Sequence, residues 1–257
     1  MEFELSIHLA LILFFVAIFA GFIDSIAGGG GLLTIPVLMW VGLSPTAALA
    51  TNKLQACGGS FFASFYFIRK GVIKLSEIKW AILCAFIGAS MGTIGVQLID
   101  ASILEILLPF LILSLGGYFL FSKKMSDQDR HQVLGVGAFA LTAALGVGFY
   151  DGFFGPGTGS FFALAFVSLL GFGLAKATAH AKVLNLATNI ASLIFFALGG
   201  KVLWLLGGIM LFGQAVGASL GASLVLSQGT KLVKPLVVSM SLIMSIKILM
   251  TQYAIFG

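Results

Sequence analysis

The feature that most constrains this chain is a succession of apolar runs, each near the length that crosses a bilayer. A hydrocarbon core of about 30 Å takes roughly 20 helical residues. Eight runs meet that requirement, at 5–27, 46–68, 78–98, 103–121, 133–154, 175–198, 203–226 and 235–253. Two more, 31–43 and 158–171, are too short to span as straight helices at about 1.5 Å per residue. Only 9% of the 257 residues are charged and 60% are hydrophobic, against about 25% charged in a soluble domain. Such a chain cannot cover itself with a polar surface. A soluble enzyme, a nucleic-acid-binding domain and a disordered scaffold are excluded. The fold class is an all-α, multi-pass membrane protein whose first partner is the lipid bilayer. No basic region precedes the run from Leu9, so this run reads as a retained helix and not as a cleaved leader.

Each short run follows a glycine-rich break, AGGGG at 27–31 and GPGTG at 155–159. The halves resemble each other. GFIDSIAGGGG at 21–31 aligns with GFYDGFFGPGT at 148–158 at an offset of 127, placing Asp24 on Asp151 and Gly28 on Gly155. GASMG at 88–92 aligns with GASLG at 217–221 at an offset of 129, so a small insertion follows Thr178. The expected organisation is one membrane domain made of two five-segment repeats, 1–125 and 126–257, each with a glycine-broken short helix. An odd number of segments per repeat makes the repeats inverted, an arrangement of many secondary transporters, whose sites form where discontinuous helices meet.

Charge sets the orientation. With ten segments, loops 69–77, 122–132 and 227–234 share one side and carry nine Lys and Arg, counting Lys79 just beyond the first loop. The opposite side has Lys201 in its long-helix connections. Basic loops stay in the cytoplasm, which puts both termini outside.

Catalytic signatures are weak. Both GASxG segments match a hydrolase GxSxG, but that motif needs a strand–turn–helix context and here it lies within membrane helices. They match GxxxG equally well, the pattern that lets helix backbones approach closely. An exposed GxxxG face would also support a homodimer. No HExxH, CxxC or P-loop is present, so neither an enzyme nor a bound metal, cofactor or nucleotide is expected. Cys57 and Cys84 read as small apolar thiols.

The glycine breaks carry the stronger signal. Consecutive glycines free the backbone from helical geometry, and Pro156 removes a donor. In lipid such a break is tolerated only inside protein or against water, and the short helix that follows aims free N–H groups at the cavity, ready for an anion. Gly28, Gly29, Gly30, Gly31, Gly155, Gly157, Thr158 and Gly159 are the candidate backbone donors. Asp24, Lys53, Asp151, His180 and Lys182 fall inside apolar segments, where an ionised group costs about 2.5–3.5 kcal/mol unless paired or wet. Two readings stand. The aspartates and lysines form structural pairs fastening each break to the next helix, or they form a cationic midplane site whose acidic partners take protons. Asn52, Gln55 and Asn185 add amides on the same helices. His180 is either a proton relay or a hydrogen-bonded structural histidine. Lys247, near the end of its run, snorkels to the interface.

The segments GFIDSIAGGGGLLTIP and GFYDGFFGPGTGSFFALAF, with ATNKLQACGGS and KATAHAKVLN after them, resemble the TauE/SafE sulfite-exporter-like membrane family, and within it the YfcA-type branch. The resemblance covers nearly the whole chain. It implies a multi-pass carrier of the bacterial cell inner membrane, with sulfite or an organosulfonate as the substrate class of characterised relatives. The expected activity is secondary transport of a small anion, exported with proton coupling. A carrier of a cation or neutral metabolite is the alternative, ahead of a channel or an intramembrane enzyme.

Overall fold

A computed structural model describes residues 5–100, 103 and 128–228. The apolar runs at 103–121 and 235–253, Lys123, Lys124, Lys231, Lys234, Lys247 and both termini lie outside these residues. The described chain is all-helical, with eight helices: α1 Ile7–Ala27, α2 Gly30–Trp40, α3 Pro45–Arg69, α4 Leu75–Gln97, α5 Val136–Phe153, α6 Thr158–Leu169, α7 Leu174–Leu198 and α8 Trp204–Gln228. Five of them, α1, α4, α5, α7 and α8, are long and apolar enough to cross a membrane.

Helix α3 departs from the apolar run expected at 46–68. At 25 residues it is long enough, but it is more polar than those five because Thr51, Asn52, Lys53, Gln55, Ser60 and Ser64 are all buried along it. One face of it carries these polar groups inward. Ser44 caps its start, accepting from Ala47 N, and Pro45 occupies the first turn where no donor is needed. Helix α5 contains a π-helical turn at Ala140–Ala144, a one-residue expansion that often marks functional helices.

The two short helices, of 11 and 12 residues, are the return arms of two hairpins. α1 ends at Gly28, whose left-handed φ of 72° reverses the chain, and its N–H bonds Asp24 O at 2.7 Å. Helix α2 then runs back, so that Leu38 and Leu43 share an apolar cluster with Leu13 and Leu9 near the start of α1. The second hairpin closes the same way. α6 begins after Gly157 (φ 77°), and its far end is tied to the approach to α5: Val133 N and Leu134 N both donate to Leu169 O at 2.9 Å. Each hairpin returns the chain to the end it came from. One end of the bundle therefore holds Arg69, Lys70, Lys74, Lys79 and Arg130, while Lys201 lies at the other.

Two apolar clusters fill these ends. Phe67, Ile78, Phe139, Phe166 and Leu174 occupy the basic end, and Leu13, Leu49, Val96, Phe196 and Leu206 the opposite one. Between them α1 lies against α8, and α4 against α5, by backbone contact at glycines. A Cβ on Gly88 would strike Leu145 O, and one on Gly92 would strike Phe149 O; a Cβ on Gly217 would strike Ile18 O, and one on Gly221 would strike Phe22 O. Gly148 against Ala85 O is matched in the same way by Gly21 against Gln214 O. Both GxxxG motifs thus pack within the chain, at close approaches of helix backbones.

Candidate functional site

The two hairpin tips abut. A Cβ on Gly28 would strike Gly159 and Ser160, and one on Gly31 would sit 3.6 Å from Pro156 Cα. Ser160 Oγ donates to Ala27 O across this contact. Only bare backbone fits here, which is why glycine stands at both tips.

Around the tips lie the ionised groups, paired in a way the sequence did not suggest. Lys53 does not fasten the first break to its own following helix; it crosses to the second hairpin. Its Nζ donates to Asp151 Oδ1 at 2.7 Å and to Asp151 O at 2.6 Å. Lys182 crosses the other way, donating to Asp24 Oδ2 at 2.8 Å. Both lysines and Asp151 are 1% exposed, and Asp24 8%. The within-half pairing is corrected: each hairpin's aspartate neutralises the lysine that follows the other hairpin. The physical reason is the tip-to-tip meeting, which brings each carboxylate within hydrogen-bond reach of the lysine that follows the opposite hairpin.

Each carboxylate is also held by its own hairpin. Gly30 N, at the start of α2, donates to Asp24 Oδ1 at 3.0 Å. Thr158 Oγ1, at the start of α6, donates to Asp151 Oδ1 at 2.7 Å. Asp151 Oδ2 is buried with no protein partner. Asn52 lies beside the first tip, its Oδ1 accepting from Thr34 Oγ1 at 2.6 Å and from Gln55 Nε2 at 3.0 Å. Gln55 Oε1 is likewise buried without a partner. Gly155 lies against Lys53 Nζ and Gly159 against Lys182 Nζ. Gly29 and Gly157 precede the first residues of α2 and α6, and Asn185 is buried one turn beyond Lys182 on α7.

His180 is not gathered into this centre. Its Nδ1 bonds Lys176 O at 2.8 Å, and its ring packs against Phe166 and Phe172 toward the basic end. Residues 180 and 182 project from nearly opposite sides of a helix. Cys57 and Cys84 are free thiols, and among the described residues no cluster could hold a metal ion. Sequence reasoning missed Thr34, three residues past the first glycine break, Ser160, directly after the second, and the Gln97 side chain that ties α4 to α7 through Phe195 O.

A multi-pass membrane protein with two broken-helix hairpins meeting at a buried, charge-balanced centre has the build of a membrane transporter. The chain belongs to the TauE/SafE family: the family model described as "Sulfite exporter TauE/SafE" matches residues 13–248. It is similar to "Probable membrane transporter protein YfcA" of Escherichia coli K12, 57% identical over 93% of this chain and 88% of the relative. It is also similar to a "Probable membrane transporter protein" of Haemophilus influenzae, 50% identical over 97% and 98% of the two chains, and to "Probable membrane transporter protein ORF9" of a Sinorhizobium species, 43% identical over 96% and 94%. No solved structure matches. The protein is a membrane transporter and not an enzyme.

Proposed function

We propose that this transporter is a secondary carrier that exports a small sulfur-containing oxyanion, sulfite or an organosulfonate, across the bacterial inner membrane in exchange with protons. The observation that carries the reading is the exchanged pair of buried ion bridges at the hairpin tips. Lys53 and Lys182 offset the substrate's charge, and the glycine-rich tips with the first N–H groups of α2 and α6 supply hydrogen bonds to its oxygens. An arriving anion competes for a lysine, and the displaced carboxylate takes up a proton because an unpaired buried charge is costly. Asp24 and Asp151 fit this role. His180, bonded within its own helix and held among aromatic rings, fits a structural one. Halves 1–125 and 126–257 are read as an inverted duplication, supported by glycine contacts that recur at the offsets of the sequence alignment.

The test is flux in proteoliposomes across a panel of sulfite, sulfonates, thiosulfate and simple carboxylates. Anion flux collapses in Lys53→Gln, while Asp24→Asn keeps substrate binding but loses acceleration by a pH gradient. Cation flux that survives Lys53→Gln would support the cation carrier instead. Asp24→Asn flux that still follows the gradient would transfer the coupling role to Asp151.

A further inference from the structure

At the basic end of the bundle a groove of about 450 Å³ opens between α3 and α8, lined by Phe62, Phe65, Tyr66, Arg69, Lys70 and Ser219. None of its lining residues belongs to the ion pairs at the hairpin tips. Its composition is graded. Phe62 and Phe65 are 43% and 48% exposed, large apolar rings on a surface that α3 turns outward. One to two turns further along, toward the end of the helix, stand two cations, both fixed over rings of the same helix. The Arg69 guanidinium sits 5.4 Å from the centre of Phe65, and Lys70 Nζ 5.7 Å from the centre of Tyr66. Cation–π contact holds each charge in place without neutralising it, and among the described residues neither cation is ion-paired. The rim on the α8 side is the exposed Ser219, a small residue that leaves the groove open.

We propose that this groove is a binding site for an anionic phospholipid of the cytoplasmic leaflet, with the phosphate between Arg69 and Lys70 and an acyl chain along Phe62 and Phe65. Charge complementarity selects this occupant. A row of aromatic side chains ending in two unpaired cations at the membrane boundary reproduces, in reverse sign, the apolar-then-anionic profile of such a lipid, and basic pockets between membrane helices on that side bind acidic headgroups. A zwitterionic lipid would bring its own cation to the same two positive groups. A soluble phosphate would leave the aromatic floor unused.

The experiment is native mass spectrometry of the full chain in detergent, titrated with phosphatidylglycerol, phosphatidylcholine or inorganic phosphate. The wild type retains phosphatidylglycerol at least about tenfold more tightly than phosphatidylcholine, at roughly the worth expected of two interfacial cations. Arg69→Gln with Lys70→Gln abolishes that preference, whereas Lys201→Gln at the opposite end leaves it intact. Ser219→Phe, which fills the groove with both cations kept, loses the lipid too and guards against a charge variant that fails to fold. Equal retention of the two lipids, a preference that survives the charge variant, or displacement of the lipid by millimolar inorganic phosphate would overturn the site.

Discussion

The two ion bridges look equivalent in the sequence and differ in how tightly each is held. Lys53 gives two hydrogen bonds to a single residue, Asp151, one to the carboxylate and one to the backbone carbonyl. Lys182 gives one to Asp24, and Asp24 keeps contact with solvent-accessible space through an 11% exposed side chain. The carboxylates differ as well. Asp24 has both oxygens engaged, one by a backbone N–H and one by Lys182. Asp151 concentrates its bonds on one oxygen and leaves the other buried without a partner. The lesson is that one bridge is a clamp with an unspent acceptor, and the other is a looser contact whose lysine retains donors. Two similar sequence settings thus hold two bridges of different chemical capacity.

The largest expected effect tests this difference directly. Lys53→Gln strands the Asp151 carboxylate with only the Thr158 hydroxyl, and it should lower stability by about 3–5 kcal/mol, the cost of breaking a buried pair on one side. Lys182→Gln leaves Asp24 with a backbone donor and some exposure, and it should cost about half as much. Thermal unfolding in detergent measures both. Adding Asp151→Asn to Lys53→Gln should recover part of the loss, and equal costs for the two lysine variants would erase the distinction. A middle-sized effect comes from Thr158→Val, which removes the side-chain donor to Asp151 Oδ1 at nearly constant shape. A loss of about 1–3 kcal/mol is expected; a neutral result would mean that Lys53 alone secures that carboxylate.

The smallest effect concerns the open end of the second hairpin. There Asp129 accepts from Lys176 Nζ at 2.7 Å and from Gly173 N at 2.6 Å. The bond from Lys176, then the one from Gly173 N–H, hold its carboxyl below the usual carboxylate range. A depressed folded-state pKa means the tie contributes fully at neutral pH and is lost as the pH falls through that lowered value. Both side chains are about half exposed, so Asp129→Asn should cost only a few tenths of a kcal/mol. The difference between variant and wild type should vanish in acid; a gap that persists at pH 2 would assign the effect to the Gly173 contact instead.

Much of the architecture was legible from residues alone. The described helices fall within about three residues of the apolar runs. The chain breaks at 28–29, within AGGGG, and at 154–157, overlapping GPGTG, because positive φ at Gly28, Gly155 and Gly157 leaves glycine without competitors there. The ionisable residues inside apolar runs were visible for the same reason that they are rare. Their pairing was not. Lys53 stands 29 positions after Asp24 and 98 before Asp151, and nothing along the chain announces that two hairpins entering from opposite ends will exchange partners. The surroundings of His180 were not legible either, since aromatic neighbours from another helix and a loop leave no local pattern. The GxxxG motifs were read correctly as sites of close approach, but the partner helix is one that periodicity cannot name.

The placement of the bridges along the bundle has a consequence for leakage. Leu54 beside Lys53 belongs to the apolar cluster at one end, and Phe153 near Asp151 packs on it, while Ala181 and Val183 beside Lys182, and Ile26 near Asp24, belong to the cluster at the other. The bridges therefore stand in series across the thickness of the protein, like two bolts on successive doors. If opening either costs about 4 kcal/mol, it stands open about one time in a thousand, and both together about one time in a million for independent events. An uninterrupted conduit for ions is then a far rarer event than access from either face alone. The seal against a continuous path is then set by a product of two small probabilities.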